Sequence, residues 1–338
     1  MTYKFDKRDT IFVSRFSAQF TRSKLEKRKT MTTNNLLDYS ANEVQDKQAH
    51  RVIYNETGNT LIKSIVRHEG KPLVLQARRG MGKSIVLEQI GRALDYRVEK
   101  VNLFKSAKAR TFFGSHYPNQ DGTGLHWEDQ VWTELCRPVH DCEYGIESYD
   151  KNSCSCPKSM LIIDEINRGN EDIQARLLSM TEDSKPYIVL IEKGNDAFEL
   201  HPNLWLVGTM NPLGGGYSTN PLDAALQDRF RFYEIDKPIA DEQVFISEIL
   251  PVSKYKDMAA KLLNFAEELR KNEDTYMSTR VLAATAKSVV YGEPIISALK
   301  VNYINMLNPQ VRGKIDPVIR MFFDKDWEQT GGLSSLKF

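Results

Sequence analysis

The pattern of apolar and polar residues divides the chain into two parts. Between residues 72 and 234, short apolar runs of strand length alternate with segments of helical periodicity. The predicted strands are residues 73–76, 97–103, 160–164, 204–210 and 230–234. Strands separated by helices form parallel sheets that are covered by helices on both faces. The pattern therefore predicts an α/β core around a five-stranded parallel sheet, with ligands bound at the carboxyl ends of the strands.

After Pro238 only helical periodicity continues. One apolar stripe at helical spacing is formed by Met258, Leu262, Phe265 and Leu269. Further helical runs cover residues 281–290 and the segment after Pro294. We predict a small all-helical subdomain over residues 241–325, following a core over residues 51–240, and a tail over residues 326–338.

Residues 1–50 show little periodicity and are predicted to form a flexible arm. The first 30 residues carry nine Lys/Arg against three Asp/Glu, a formal charge of +6, which leaves 37 against 42, or −5, in the rest. A solvated terminus and an arm that docks on nucleic acid or on an acidic partner are both consistent with this charge.

The overall composition is that of an ordinary globular protein, with 41% hydrophobic and 27% charged residues among 338. No apolar run approaches the roughly 18 residues that a membrane span requires. The N-terminus lacks the apolar segment of a signal peptide. These observations predict a cytoplasmic protein without a membrane association.

A Gly-rich loop follows the first predicted strand, in Ala77-Arg-Arg-Gly-Met-Gly-Lys-Ser84. Gly80 and Gly82 allow backbone N–H groups to turn toward phosphate oxygens without an intervening Cβ. Lys83 would lie between the β- and γ-phosphates of a nucleotide, and the Ser84 hydroxyl would bind Mg²⁺. The N-terminus of the following helix would add its positive field. The residues predicted to contact the nucleotide are Arg79, Gly80, Met81, Gly82, Lys83, Ser84 and Ile85.

One residue of this loop departs from the full phosphate-binding pattern, in which a glycine stands at the position of Ala77. Alanine is the smallest replacement and needs only an allowed φ, so the loop can still form. The prediction of a P-loop therefore depends on strand, loop and helix taken together.

Two acidic residues end the third predicted strand, in Met160-Leu-Ile-Ile-Asp-Glu165. A buried strand cannot carry charges along its length, but its C-terminal end faces the ligand crevice. Asp164 would hold the Mg²⁺ hydration shell, and Glu165 would polarise the attacking water. Beside a P-loop, this pair predicts hydrolysis of the bound nucleotide.

Three further runs follow in a characteristic order: Asp164-Glu-Ile-Asn-Arg168, Thr209-Met-Asn-Pro212 and Leu226-Gln-Asp-Arg-Phe230. Together they resemble the MoxR and dynein-related branch of AAA+ ATPases, over residues 51–290. The resemblance implies a P-loop NTPase core with αβα layers and a helical lid. It also implies that ATP is bound with Mg²⁺ and hydrolysed, and that the chain forms a homo-oligomer, a ring of six subunits.

The resemblance assigns roles to single residues outside the two motifs. Asn211 matches sensor 1, whose amide orients the water near the γ-phosphate, although an Asn before a proline is also common in turns. Arg229 matches the arginine finger, which reaches the nucleotide of a neighbouring subunit. Arg231 is the alternative, but strand alternation points it to the opposite side. Arg280 matches sensor 2, or is a solvated residue at the start of a helix.

Two insertions in the predicted core also resemble this branch. Residues 187–201 predict a β-hairpin with its turn at residues 193–196. Residues 104–159 are long for a crossover between parallel strands. By the same resemblance, both insertions would face the central pore or the substrate side of a ring.

The four cysteines of the chain, Cys136, Cys142, Cys154 and Cys156, all lie within the longer insertion. Four soft ligands so close together could hold a structural Zn²⁺ and stabilise a loop with little core of its own. Their spacing, C-x5-C-x11-C-x-C, differs from the paired C-x2-C of zinc ribbons. Free thiols in a reducing compartment are the alternative, and the family resemblance does not decide between the two.

Three functions are consistent with these motifs. The first is an ATPase that remodels or activates a protein complex, as MoxR-type relatives do. The second is a nucleic-acid translocase or the NTPase partner of a nuclease, which the basic arm favours. The net acidic remainder, the absence of a nuclease motif and Pro212, where such relatives tend to have threonine, argue against it. The third is a nucleotide-gated scaffold, which Glu165 and Arg229 argue against.

Overall fold

The computed structural model describes residues 54–136, 158–212 and 221–330. The predicted arm, three of the four cysteines and the end of the predicted tail lie outside these residues. The described chain forms two compact units, one of residues 61–79 and 83–236, the other of residues 54–60, 80–82 and 237–330. The domain boundaries inferred from the sequence stay a prediction.

The first unit contains all nine named strands of the described residues. They are β1 (Leu73–Ala77), β2 (Arg97–Asn102), β3 (Gly114–Pro118), β4 (Leu125–Asp129), β5 (Ser159–Asp164), β6 (Tyr187–Leu190), β7 (Asp196–Glu199), β8 (Leu204–Met210) and β9 (Arg231–Ile235). Five of them form a parallel sheet in the order β2-β5-β8-β1-β9. The predicted five-stranded parallel sheet is therefore confirmed.

The burial of each strand follows from its place in this order. The central strands β5 and β8 are buried over almost their whole length, which explains their continuous apolar runs. The edge strands β2 and β9 leave polar side chains exposed. Because β8 lies between β5 and β1, the chain segments that follow these three strands meet at one edge of the sheet.

Helices cover this sheet and pack into its core. Up to residue 229 they are α1 (Glu56–Arg67), α2 (Lys83–Ala93), α3 (Val131–Cys136), α4 (Glu171–Met180) and α5 (Ala224–Arg229). Val86, Leu87 and Ile90 form the buried face of α2. Ile173 and Leu177 of α4 belong to the main apolar cluster of the unit. The predicted αβα layering of a P-loop fold is confirmed.

Two antiparallel hairpins accompany the parallel sheet. Strands β6 and β7 pair at the place where the sequence predicts a hairpin, with Gly194 and Asn195 at positive φ in the turn. Strands β3 and β4 form a second hairpin inside the longer insertion, which the sequence analysis did not predict. Its strands carry exposed aromatic and polar side chains rather than a clear apolar alternation.

The second unit is helical, as predicted for the part of the chain after Pro238. Its helices are α6 (Glu242–Ile249), α7 (Val252–Arg270), α8 (Thr279–Val290), α9 (Ile295–Asn302) and α10 (Pro309–Thr330). The stripe on α7 faces its core, where Leu262, Phe265 and Leu269 are buried. In the described part of the chain, no helix is long and apolar enough to cross a membrane.

Candidate active site

The Gly-rich loop joins β1 to α2 and needs glycine at two positions. Gly80 has a φ of 82° and Gly82 a φ of 86°, in the left-handed region that side chains disfavour. A Cβ on Gly80 would also lie 2.6 Å from Oγ of Ser278 in the same unit. Ala77 ends β1 in extended conformation, so no left-handed backbone requires glycine there. The departure from the full motif is therefore compatible with the loop.

Lys83 begins α2 and is buried at the carboxyl edge of the sheet. Its ammonium donates to the carbonyl oxygens of Ala77, at 2.7 Å, and Arg78, at 3.1 Å. It also donates to Oδ1 of Asn211, at 3.0 Å. These oxygens hold the positive charge inside the loop, where the sequence analysis expects the phosphates of a nucleotide.

Three oxygen-bearing side chains meet next to this lysine. The Ser84 hydroxyl donates to Oδ1 of Asp164, at 2.9 Å, and the Thr209 hydroxyl donates to the same oxygen. Thr209 is fully buried at the end of β8. Hydroxyl and carboxylate oxygens are the donors that Mg²⁺ prefers, so Ser84 and Asp164 fit the predicted metal. Thr209 was not predicted as a site residue, although it belongs to one of the three motif runs.

Glu165 follows β5 in a left-handed backbone conformation, with φ 57° and ψ 47°. This conformation costs a non-glycine residue about 1–2 kcal/mol and is typical of functional sites. It is held by a hydrogen bond of 3.2 Å from the Glu165 N–H to Oγ1 of Thr209. The sharp turn brings the carboxylate back toward the sheet edge, where Oε1 lies 3.5 Å from Nδ2 of Asn211.

Arg168 contacts the other oxygen of this carboxylate. Its Nε lies 2.5 Å from Oε2 of Glu165 as an ion pair, and both atoms are buried without a well-aligned hydrogen bond. One residue earlier, the buried Asn167 donates from Nδ2 to the carbonyl of Asn211, at 3.3 Å. Their position in the run from Asp164 to Arg168 was the only signal in the sequence for these two residues.

The predicted sensor residue Asn211 connects the two parts of the site. Its side chain is 2% exposed, and its amide contacts both Lys83 and Glu165. The amide can therefore sense the phosphate side and the carboxylate side of the site at once. The structure thus brings together Lys83, Ser84, Asp164, Glu165 and Asn211.

The predicted arginine finger is not part of this cluster. Arg229 ends α5, and its guanidinium donates to the carbonyl of Leu178 and lies 2.9 Å from Oε2 of Glu182. Its side chain remains 28% exposed. Among the described residues, these bonds lead to the end of α4 and not to the P-loop. The alternative, Arg231, begins the edge strand β9 and is exposed.

The remaining residues that were predicted to contact the nucleotide differ in their exposure. Arg280 is exposed, and its Cβ lies 3.4 Å from the position of a Cβ on Gly80, within the same unit. Arg79 and Ile85 are exposed at the loop. Met81 is buried, and its sulfur accepts a hydrogen bond of 2.8 Å from the Tyr276 hydroxyl.

Only one residue of the predicted zinc site lies in the described chain. Cys136 ends α3 and is buried, and this burial raises the pKa of its thiol. Cys142, Cys154 and Cys156 lie outside the described residues. Within residues 54–136, 158–212 and 221–330, no group of three or more His, Cys, Asp or Glu side chains could hold a metal ion. The choice between zinc and free thiols stays a prediction.

Comparison with known families decides the class of this site. Residues 72–230 match the family described as AAA domain, dynein-related subfamily. The matched segment is an AAA ATPase domain of this subfamily. It begins directly before β1 and ends directly after Arg229, so it contains the P-loop, Asp164, Glu165 and Asn211. The predicted family resemblance and the predicted ATPase class are confirmed for this segment.

Several relatives match part of this chain at low identity. Midasin of Dictyostelium discoideum is 22% identical over 203 residues, which are 60% of this chain and 3% of that protein. Midasin of Giardia intestinalis is 24% identical over 180 residues, 47% of this chain and 4% of its own length. The chain therefore spans only a small part of these two relatives. The denitrification regulatory protein NirQ of Pseudomonas aeruginosa is 22% identical over 244 residues, 70% of this chain and 83% of NirQ.

Among solved structures, a candidate ATPase from Cytophaga hutchinsonii superposes with a TM-score of 0.41 and 14% identity. The superposition covers 81% of this chain and 83% of that one. The assignment to the AAA class rests on the family match and not on this similarity.

The side chains of the AAA domain have the chemistry that ATP hydrolysis requires. Lys83 would supply the cation for the phosphates, and Ser84 and Asp164 are the residues that would hold Mg²⁺. When bound there, Mg²⁺ neutralises the charge that develops on the phosphate oxygens. Glu165 would polarise the attacking water, and the amide of Asn211 would orient it.

Proposed function

We propose that this AAA domain works within a homo-oligomeric ring, hexameric, in which ATP hydrolysis remodels or activates a protein complex. The position of Arg229 is the observation that supports a ring. Catalysis by an arginine finger requires a cation at the γ-phosphate, yet Arg229 bonds to Leu178 and Glu182 in its own chain. A partly exposed guanidinium at the end of α5 is suited to act on the nucleotide of a neighbouring subunit.

The two hairpins support a macromolecular substrate. Their strands and turns expose apolar residues, with Leu125 at 66% and Ile191 at 59% of their surface accessible. Tyr117, on the strand that pairs with that of Leu125, is 41% exposed. Exposed apolar groups on short hairpins suit transient contacts with another macromolecule.

A protein complex is our first choice of substrate. NirQ is named a regulatory protein, and the match covers most of its length as well as most of this chain. A nucleic-acid motor is the alternative, and the +6 charge of residues 1–30 supports it. The remainder of the chain has a net negative charge, which opposes a phosphate backbone.

The ring and its finger can be tested with two inactive variants. Lys83→Ala should lose nucleotide binding, because the phosphates lose their cation, and Arg229→Ala should bind ATP without hydrolysing it. In a mixture, some interfaces pair an intact P-loop from the second variant with an intact Arg229 from the first. We expect the mixture to regain part of the ATPase activity.

Arg97→Ala is the matched control, because Arg97 is an exposed arginine on β2 that pairs only with Glu99 among the contacts described. It should hydrolyse ATP like the wild-type protein. If Arg229→Ala were as active as wild type, or if the specific activity were flat across dilution to the monomer, the proposal of a finger acting between subunits would be wrong.

A further inference from the structure

Arg176 is a buried cation in the middle of α4 that no motif includes. Its side chain is 7% exposed. Within its own helix, Nε donates to Oδ1 of Asp172, at 3.2 Å. A buried guanidinium is costly unless its donors are paired, so the remaining partners of Arg176 indicate what it is for.

These partners lie in the β6–β7 hairpin and directly before the β3–β4 hairpin. Nη1 of Arg176 donates to the carbonyl of Val189 in β6, at 3.2 Å, and Nη2 donates to Oε1 of Glu192 in the following turn, at 2.7 Å. The guanidinium also lies over the ring of Phe113, the residue directly before β3. Its central carbon is 4.9 Å from the ring centroid. Strand β3 in turn contacts the turn Ile191–Lys193. One side chain therefore joins α4 to the turn end of the β6–β7 hairpin and to the residue directly before β3.

The N-terminal end of α4 is tied to the segment that carries Glu165. The turn Ile166–Arg168 follows Glu165 directly, and Gly169 and the helix cap Asn170 come next. Nε2 of Gln174 donates to the carbonyl of Gly169, at 3.1 Å. A displacement of the Glu165 segment therefore reaches α4 through both the chain and this hydrogen bond.

We propose that Arg176 is a positioning residue that transmits changes at the ATP site to the two hairpins. The inference rests on the proposed function, in which ATP turnover moves surfaces that contact a substrate. A rigid fork of donors suits this task, because it fixes α4 to a backbone carbonyl and a carboxylate at the same time. A salt bridge that only stabilises the fold would make the same contacts, but its removal would have the same effect on the hairpins with and without bound nucleotide.

Two variants separate these roles. Arg176→Met keeps the volume and the contact with Phe113 but removes every donor. Glu192→Gln removes only the charge on the hairpin side, and Asp172 still provides a carboxylate for the buried guanidinium of Arg176. Lys193→Met is the matched control, because the ion pair of Lys193 with Asp196, at 3.0 Å, joins two residues of the same hairpin and does not reach α4.

The measurement is amide hydrogen exchange of the full chain with and without Mg-ATP. All variants carry Glu165→Gln, so that ATP is bound and not consumed, and are compared at concentrations that give the same sedimentation coefficient. Protection of residues 79–84 reports nucleotide binding. The parent protein carries Glu165→Gln alone. In this parent, we expect ATP to change the exchange rates of residues 187–199 and 114–129. Amide exchange reports the local opening of the hairpins, and the loss of one charge-assisted hydrogen bond changes the equilibrium constant of this opening about tenfold.

In Arg176→Met and Glu192→Gln, we expect the ratio of exchange with and without ATP in the hairpins to approach one, while protection of residues 79–84 persists. Lys193→Met should keep the ratio of the parent. The proposal is overturned if ATP leaves hairpin exchange unchanged in the parent. It is also overturned if the two variants speed exchange equally in both states and keep the parent's ratio. If ATP did not protect residues 79–84 of the parent, the result would instead contradict ATP binding itself.

Discussion

At the scale of single residues, the amide of Asn211 contacts both the lysine predicted to bind the phosphates and the carboxylate predicted to polarise the attacking water. Oδ1 accepts a hydrogen bond from the Lys83 ammonium, and Nδ2 faces the Glu165 carboxylate. Movement of Lys83 toward a phosphate would therefore change the surroundings of Glu165 through one side chain. Arg168 holds the opposite oxygen of Glu165, so the carboxylate lies between an amide and a cation.

The first prediction concerns this carboxylate. Glu165→Gln should bind ATP normally but hydrolyse it at least about 100-fold more slowly, because only the assistance to the attacking water is removed. Glu99→Gln, on the edge strand β2, is the control and should leave both properties unchanged. Nucleotide affinity and steady-state turnover are measured for each variant. Unchanged turnover in Glu165→Gln would exclude Glu165 from the mechanism.

A second prediction compares two glycines that share a left-handed backbone. Gly80 has φ 82° and Gly122 φ 72°, but a Cβ on Gly80 would meet Ser278, whereas one on Gly122 would meet no atom within 4 Å. Gly122→Ala should cost only the conformational term of about 1–2 kcal/mol and keep ATP affinity. Gly80→Ala should cost more stability and weaken ATP binding. Melting temperatures and ATP affinities test this, and equal losses in both variants would contradict the role of Ser278.

At the scale of elements, a buried ion pair connects helices of the helical unit. Arg270 of α7 forms two parallel bonds to Glu242 of α6, at 2.6 and 2.8 Å, and donates from Nε to the carbonyl of Met277. The Thr279 hydroxyl at the start of α8 donates to the same carboxylate. The pair therefore connects residues of three helices, and its side chains are 14% and 11% exposed.

The third prediction follows from this pair. Arg270→Leu should lower the unfolding free energy of the helical unit by about 3 kcal/mol, because Glu242 keeps its charge in a nearly dry place. The neighbouring Lys271 pairs with Glu268 on the surface, and Lys271→Leu should have no measurable effect. Urea unfolding followed by circular dichroism compares the two. A similar small change in both variants would show that the pair does not hold the helices together.

The strand order is the other feature at this scale that determines the site. Because β8 lies between β5 and β1, Asn211 and Thr209 are placed between the P-loop and Asp164. A chain with the same strands in another order would separate these side chains. The contacts of α4 then extend from this edge to both hairpins and to Arg229.

At the scale of the whole molecule, the basic arm provides a test that distinguishes a protein substrate from a nucleic-acid substrate. Deleting residues 1–30 should leave the basal ATPase rate nearly unchanged, because the motifs of the predicted active site all lie after residue 72. If nucleic acid were the substrate, DNA or RNA should stimulate the full-length protein with a steep salt dependence that the deletion reduces. We expect no stimulation at low salt. Stimulation that the deletion abolishes would favour the nucleic-acid motor over protein remodelling.

The sequence by itself determined the element types and the active-site motifs. Buried parallel strands need continuous apolar runs, and amphipathic helices need a 3.6-residue period, so both are visible locally. The P-loop glycines and the acidic end of β5 are likewise visible, because their chemistry requires those residue types in consecutive positions. The hairpin of β3 and β4 escaped prediction because its strands are largely exposed and carry no apolar alternation.

Only the tertiary structure decided which distant side chains meet. The contacts of Ser278 with Gly80, of Arg229 with Glu182 and of Arg176 with Glu192 join positions that no periodicity relates. Such pairs follow from strand order and from the direction in which each turn sends the chain. Local propensity decides whether a segment becomes a helix or a strand, but packing of the whole unit decides what lies beside it.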